Sequence, residues 1–174
     1  MYYMLYRYYL LILVMCFGCL AEGANTVALN SEEPIMLYAD AYNPEVTYVI
    51  HQDFSSDFYA DVELLDTAPF RFKAKVTLNM TCGETVDIYG WLDKVNCVVF
   101  LRADTYQNEQ SYIYIYKEPS EKSDYQAVEV LVNSDIGYVI GYAGYWYHVV
   151  TEKDGKLYEG WTKRCCTNIT NSCN

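Results

Sequence analysis

The chain has 174 residues, room for one ordinary domain or two small ones. Its formal charge of −11 argues against a nucleic-acid binder, because gripping phosphates takes clustered Lys and Arg, and here these are few and scattered. Its 20 Tyr far outnumber its 6 Phe and 3 Trp; Tyr, with Val, Ile and Thr, suits a pleated, half-buried surface, so composition predicts β structure.

The first 24 residues, MYYMLYRYYLLILVMCFGCLAEGA, read as an address. Arg7 precedes an apolar run from about Tyr8 to Leu20, and Ala21, Gly23 and Ala24 follow where a signal peptidase could cut. The run is short and early for a membrane span. A secretory signal peptide over 1–24 is expected, with an uncleaved anchor as the weaker alternative. Cys19, after Gly18, resembles the acceptor of a bacterial lipoprotein, although Cys16 and Phe17 depart from the usual preceding residues. A lipid on Cys19 would be the membrane attachment. The chain is expected in the periplasm, the cell envelope or the medium.

Past the leader, Pro34–Ile50 reads as an alternating strand ending at Tyr38, an acidic loop carrying Pro44, and a return strand. Ala60–Val76 is a strand, a break at Asp66–Pro69 and a second strand opening with aromatics. Asn79–Val86 reads as a long hairpin loop, and Gly90-Trp91 closes the unit. Leu101–Gln110 is polar after its first residue and reads as a linker. The same grammar then returns. Tyr112–Val128 is a strand ending at Tyr116, an acidic loop carrying Pro119 and an apolar return. Ile136–Val150 breaks at Ala143–Gly144, Asp154-Gly155 is a two-residue hairpin signal, and Gly160-Trp161 closes the second unit. The offset drifts from 78 at Tyr38/Tyr116 to 70 at Trp91/Trp161, as it does when loops lose residues and strands keep theirs. In Tyr112–Tyr116 the alternation puts Ile113 and Ile115 on one face and three tyrosines on the other. Closing such strands into a barrel removes exposed edges. Glycine before Trp lets the backbone bend while the indole covers a barrel end.

These residues carry a resemblance. Tyr112–Arg164, with IYKEPSEKSD, GYVIGYAG, WYHV, DGK and GW, resembles a bacterial SH3 (SH3b) domain. Pro34–Lys94 resembles a diverged copy that keeps LYADAYNPEV and GW, with Phe70–Val76 in place of the Trp-Tyr strand. The resemblance implies an all-β fold of two small SH3-like five-stranded barrels in tandem: residues 34–100, a linker at 101–111, a barrel at 112–166, and a Cys-containing tail at 167–174. In SH3-like folds an aromatic groove between the long acidic loop and the next hairpin receives peptides, and in bacterial relatives cell-wall stems. By resemblance Tyr116, Trp146 and Trp161 lie near it. Tyr38, Tyr142 and Tyr145 join them as candidates, although core and cross-strand packing explains such aromatics equally simply. The loops Asp40–Glu45 and Glu118–Asp124 are either solvated or turned to a cationic ligand.

Five cysteines follow the leader: Cys82, Cys97, Cys165, Cys166 and Cys173. Export lets disulfides persist, and an odd count leaves at least one thiol over. A local Cys82–Cys97 pair and a tail pair using Cys173 are plausible, and the connectivity stays open. No Cys-x-x-Cys pair follows the leader, and His51 and His148 stand alone, so no metal or cofactor is expected. A Cys-His hydrolase needs a thiolate at a helix start, and no segment has helical periodicity, so no enzyme is expected. The expected function is non-enzymatic binding of a peptide, of peptidoglycan or of an envelope protein. Family members often accompany a wall hydrolase domain, and none is written here, so a free module or adaptor is expected. The alternatives are a secreted lipocalin-like carrier of a small ligand and an inhibitor or immunity-type protein.

Overall fold

The computed structural model describes residues 25–31, 33–52, 60–79, 84–107, 110–131, 135–163 and 165–166. The expected leader with Cys19, the tail with Cys173, and Cys82 lie outside the described residues. The fold is all-β, with no α-helix among the described residues and so no helix long and apolar enough to cross a membrane.

The first half holds β1 (Thr26–Leu29), β2 (Ile35–Tyr38), β3 (Val46–Ile50), β4 (Ala60–Thr67), β5 (Arg71–Asn79) and β6 (Thr85–Asp93). The 3-10 turn Lys94–Asn96 leads into β7 (Cys97–Leu101). The second half continues with β8 (Thr105–Gln107), β9 (Gln110–Tyr116), β10 (Tyr125–Glu129), β11 (Ile136–Ala143), β12 (Trp146–Lys153), β13 (Lys156–Thr162) and β14 (Cys165–Cys166). All fourteen strands join one antiparallel sheet in the order β10-β9-β13-β12-β11-β7-β1-β4-β5-β6-β2-β3, with β14 on β7 and β8 on β9.

Counted outward from its middle, the sheet is the same in both directions. β1 is followed by β4, β5, β6, β2 and β3, and β7 by their counterparts β11, β12, β13, β9 and β10. The register repeats too. Thr67 faces Phe72 as Tyr142 faces Tyr147, and Tyr38 faces Trp91 as Tyr116 faces Trp161. A bulge follows Leu64 in β4 and its counterpart Val139 in β11. The pair Leu78↔Val86 stands where Lys153↔Lys156 stands in the second half. Most of the first unit's excess length, five of eight residues, therefore lies in the expected hairpin. The short counterpart turns on Asp154 and Gly155, both with positive φ (53° and 74°), the mirror-image turn that suits strand twist.

The expected pair of separately closed barrels does not form. The sheet is open and continuous, and β1 pairs with β7 across its centre. The reason is in β7, CVVFL, whose Cys97, Val98, Val99 and Leu101 are all buried. A strand apolar on both faces belongs in the interior of a sheet. Here β11 takes one edge, and β1 and β14 share the other. The stretch expected as linker also carries strands: Leu101 ends β7, and β8 pairs antiparallel with β9.

One apolar cluster runs through both halves, from Leu37, Phe72 and Val76 through Val27 and Val99 to Ile113, Val139 and Val149. Polar clips cross the middle. The Tyr147 hydroxyl donates to the Thr26 carbonyl at 2.6 Å, and the Lys94 ammonium to the Ile140 carbonyl at 2.8 Å. In β9, Ile113 and Ile115 are buried, while Tyr112, Tyr114 and Tyr116 face outward half-buried, as the alternation predicts.

The Gly-Trp pairs have another role than the expected one. Trp161 does not seal a barrel end but lies half-buried on the outer face, stacked on His148 at 4.8 Å between centroids. The glycine is needed for close approach. A Cβ on Gly160 would sit 2.5 Å from the Tyr116 carbonyl oxygen, and one on Gly90 2.6 Å from Leu37 Cδ2, the corresponding strand of the first half.

The expected Cys82–Cys97 bridge is not formed, since Cys97 carries a free, buried thiol. Cys165 is also free and Cys166 is disulfide-bonded, while no disulfide joins two described cysteines. Burial, with Asp93 nearby, pushes the Cys97 thiol far up; burial and Asp104 do the same to Cys165. Burial pushes Tyr147 up to about 12. All three bind their protons more tightly folded than unfolded, so their contribution is complete below the ordinary thiol value and lost as pH climbs. The melting temperature should therefore hold to about pH 9 and then fall through pH 10–12. Tyr147→Phe should flatten the upper part of that fall. Circular dichroism melts across this range check it, and a level profile would contradict it.

Candidate functional site

The outer face of the second half is built from four neighbouring strands. Alternation turns Tyr114 and Tyr116 outward from β9. Tyr125 of β10 stands opposite Tyr116, Trp161 of β13 is opposite it on the other side, and His148 of β12 is opposite Trp161. Trp146 lies two residues before His148 on the same face. The rings touch: Tyr114–Tyr125 centroids are 4.5 Å apart, Tyr116–Tyr125 5.4 Å, and Tyr116 meets Trp146 edge-on at 5.2 Å. Half-exposed aromatics in mutual contact present a large area with little freedom to lose on binding.

The loop joining β9 and β10 borders this cluster, and its own bonds hold its shape. Lys117 N–H donates to the Asp124 carbonyl at 2.9 Å, Glu118 N–H to Ser123 Oγ at 3.1 Å, and Lys122 N–H to Ser120 Oγ at 3.2 Å. Lys117 and Asp124 also pair through their side chains at 2.9 Å. Across the cluster, the Lys163 ammonium lies 5.8 Å from the Trp146 centroid and pairs with Glu121 of the loop. Partial burial, and then the Asp104 and Glu121 carboxylates, push the Tyr116 phenol above its usual value, so it stays a neutral hydroxyl donor at neutral pH.

The structure thus brings Tyr116 and Trp146 together and sets Trp161 beside them, engaged with His148, whose Nε2 lies 3.3 Å from Glu159. Tyr145 is exposed at the turn before β12. Tyr142 is elsewhere: its ring packs on Phe72 of the first half at 6.0 Å, and burial raises its phenol. Tyr114, Tyr125 and Lys163 were missed as members of the site, whereas Glu121 belongs to the loop Glu118–Asp124 that the sequence offered as solvated or turned to a cationic ligand. Pairing β9 with β10 residue by residue would have found Tyr125, which directly opposes Tyr116.

Tyr38 holds the position of Tyr116 in the first half, yet its surroundings differ. The Arg71 guanidinium lies 3.5 Å from its ring centroid. Arg71 Nε donates to Asp93 at 2.8 Å, and Nη1 to the Asp40 and Asn43 carbonyls at 3.1 and 2.7 Å. By register Arg71 corresponds to Trp146 and Asp93 to Lys163. In the first half the Tyr38 ring is thus covered by the chain's own arginine.

Among the described residues, no group of three His, Cys, Asp or Glu side chains is placed to hold a metal ion. No protein-family model, no curated protein and no solved structure matches the chain.

Proposed function

We propose that the chain is a non-enzymatic binding protein of the bacterial cell envelope, built from two diverged SH3b-like units opened into one sheet. Its second unit takes a peptide, a cell-wall stem or a segment of an envelope protein on the face of Tyr114, Tyr116, Tyr125 and Trp146. The motif resemblance and the twice-written strand order support the parentage. The observation that carries the binding role is the ring cluster itself, half-exposed in an outer face beside a loop stitched by its own hydrogen bonds. Contact surfaces favour Tyr and Trp because each offers an apolar body with a polar tip. A single-barrel carrier is supported less well, since the strand order is duplicated and the sheet is open.

Co-sedimentation with purified sacculi at low and high salt tests the wall ligand. The wild-type chain should pellet, and Tyr116→Ala or Trp146→Ala should weaken retention by roughly tenfold or more, the usual effect of removing a central aromatic contact. A wild-type chain left in the supernatant at both salts removes the wall as ligand. Variants retained like wild type would move the site away from this face.

A further inference from the structure

Resting on that reading of the face, we propose that it takes an arginine side chain of an extended protein segment, in exchange for its own Lys163. Both halves use a cation to tie the outer aromatic face to the loop, but they do so unequally. In the first half Arg71 lies 3.5 Å from the Tyr38 centroid, forms three hydrogen bonds and is only 13% exposed. In the second half Lys163 stands 5.8 Å from the Trp146 centroid, and its ion pair with Glu121 is open to water, with side chains 40% and 61% exposed.

Water and salt screen an exposed Lys–Glu pair, which therefore holds weakly. An ammonium is also a strongly hydrated point charge. A guanidinium is planar and less hydrated, stacks on aromatic faces and forks a carboxylate through two parallel N–H donors. In the first half an arginine of the chain itself stacks on Tyr38, donates Nε to the Asp93 carboxylate of β6 and Nη1 to two loop carbonyls. The second half also sets an acceptor beside an aromatic face, here the loop carboxylate of Glu121, with a more exposed cation, Lys163, near the rings. An incoming arginine stacks on Trp146 and Tyr116, takes Glu121, and releases Lys163 to solvent. The chain's charge of −11 draws basic segments towards it.

The test measures fluorescence anisotropy of a rhodamine-labelled, alanine-rich short peptide with one central arginine, titrated with the full-length chain. Matching peptides carry citrulline, the neutral isostere, or lysine. The arginine peptide should bind roughly tenfold or more tighter than the citrulline one, and the gap should narrow with salt. Lys163→Met should tighten arginine binding several-fold, Glu121→Gln should weaken it by about tenfold, and Trp146→Ala should remove it. Equal binding of arginine and citrulline peptides, or a Lys163→Met chain no tighter than wild type, overturns the exchange. A lysine peptide binding as well as arginine overturns the guanidinium assignment in favour of an amine. If no basic peptide binds while sacculi are still retained through Trp146, this inference falls and the reading of the face stands. If Trp146→Ala leaves every binding signal untouched, the face itself is misassigned.

Discussion

Val27→Asp is expected to destroy the cooperative fold. Val27 is 2% exposed in β1, a strand of four residues bonded to β4 on one edge and to β7 on the other. A carboxylate placed there loses its water. An unpaired buried charge costs several kcal/mol, about 3–5 when a partner is missing, against about 5–15 kcal/mol for a whole domain. The damage would not stay local, because β1 is where the two halves' hydrogen-bond ladders meet. Thermal melts should show a fall of more than about 10 °C or no sharp transition at all. Val46→Asp, in edge strand β3 where the side chain is 43% exposed, is the control and should melt within a few degrees of wild type. A Val27→Asp chain that melts like wild type would show that β1 is not held in the sheet.

Gly160→Ala should come next in severity. The added methyl meets the Tyr116 carbonyl oxygen at 2.5 Å and Ile115 Cγ2 at 2.8 Å, so β13 must part from β9 or the backbone must bend. Overpacking of this kind costs about 1–3 kcal/mol, and a backbone obstacle belongs at the upper end. The corresponding fall in melting temperature is roughly 6–12 °C for a chain this size. Gly90→Ala provides the internal comparison. Its methyl meets chiefly the Leu37 side chain, which can turn aside, so the loss should be smaller. The order Gly160 worse than Gly90 is the discriminating result, because a uniform cost of removing glycine would make the two alike.

Gly160→Ala should also disturb the candidate face, since Tyr116 stands opposite Trp161 across that same strand pair. Val27→Asp acts by unfolding and Gly160→Ala by displacement. Peptide affinity measured on the folded fraction of the glycine variant should therefore drop even where stability is partly restored by cooling.

Much of this architecture was legible from local pattern. The alternation of Ile113 and Ile115 against three tyrosines fixes which way β9 faces, and Asp154-Gly155 marks the β12–β13 hairpin by chemistry alone. The drift of the repeat pointed to the hairpin loop where most of the extra residues lie. What was not legible is pairing at a distance. β1 is only four residues long, too short to show a period, and nothing in TVAL says that it will meet CVVFL some seventy positions later. The buried run in β7 did hint at a central strand, but reading 34–100 as a closed unit hid it. For the site, Tyr116 and Trp146 were visible as types at expected places. Arg71 was not, because its meaning depends on lying over Tyr38, a contact set by the sheet's register and not by any motif. The Cys82–Cys97 pairing failed for a related reason: proximity in sequence says nothing of a thiol turned into the core.

The antiparallel meeting of β1 with its counterpart β7 has a further meaning. Two identical molecules related by a two-fold axis would make that very contact, each presenting the same strand to the other in opposite direction. The chain is organised as two like halves that meet as two copies of one molecule would, with that junction in its interior. Joined in one chain, the two halves need not stay alike. One holds an arginine over Tyr38 as an internal brace, while the other leaves its rings half-exposed.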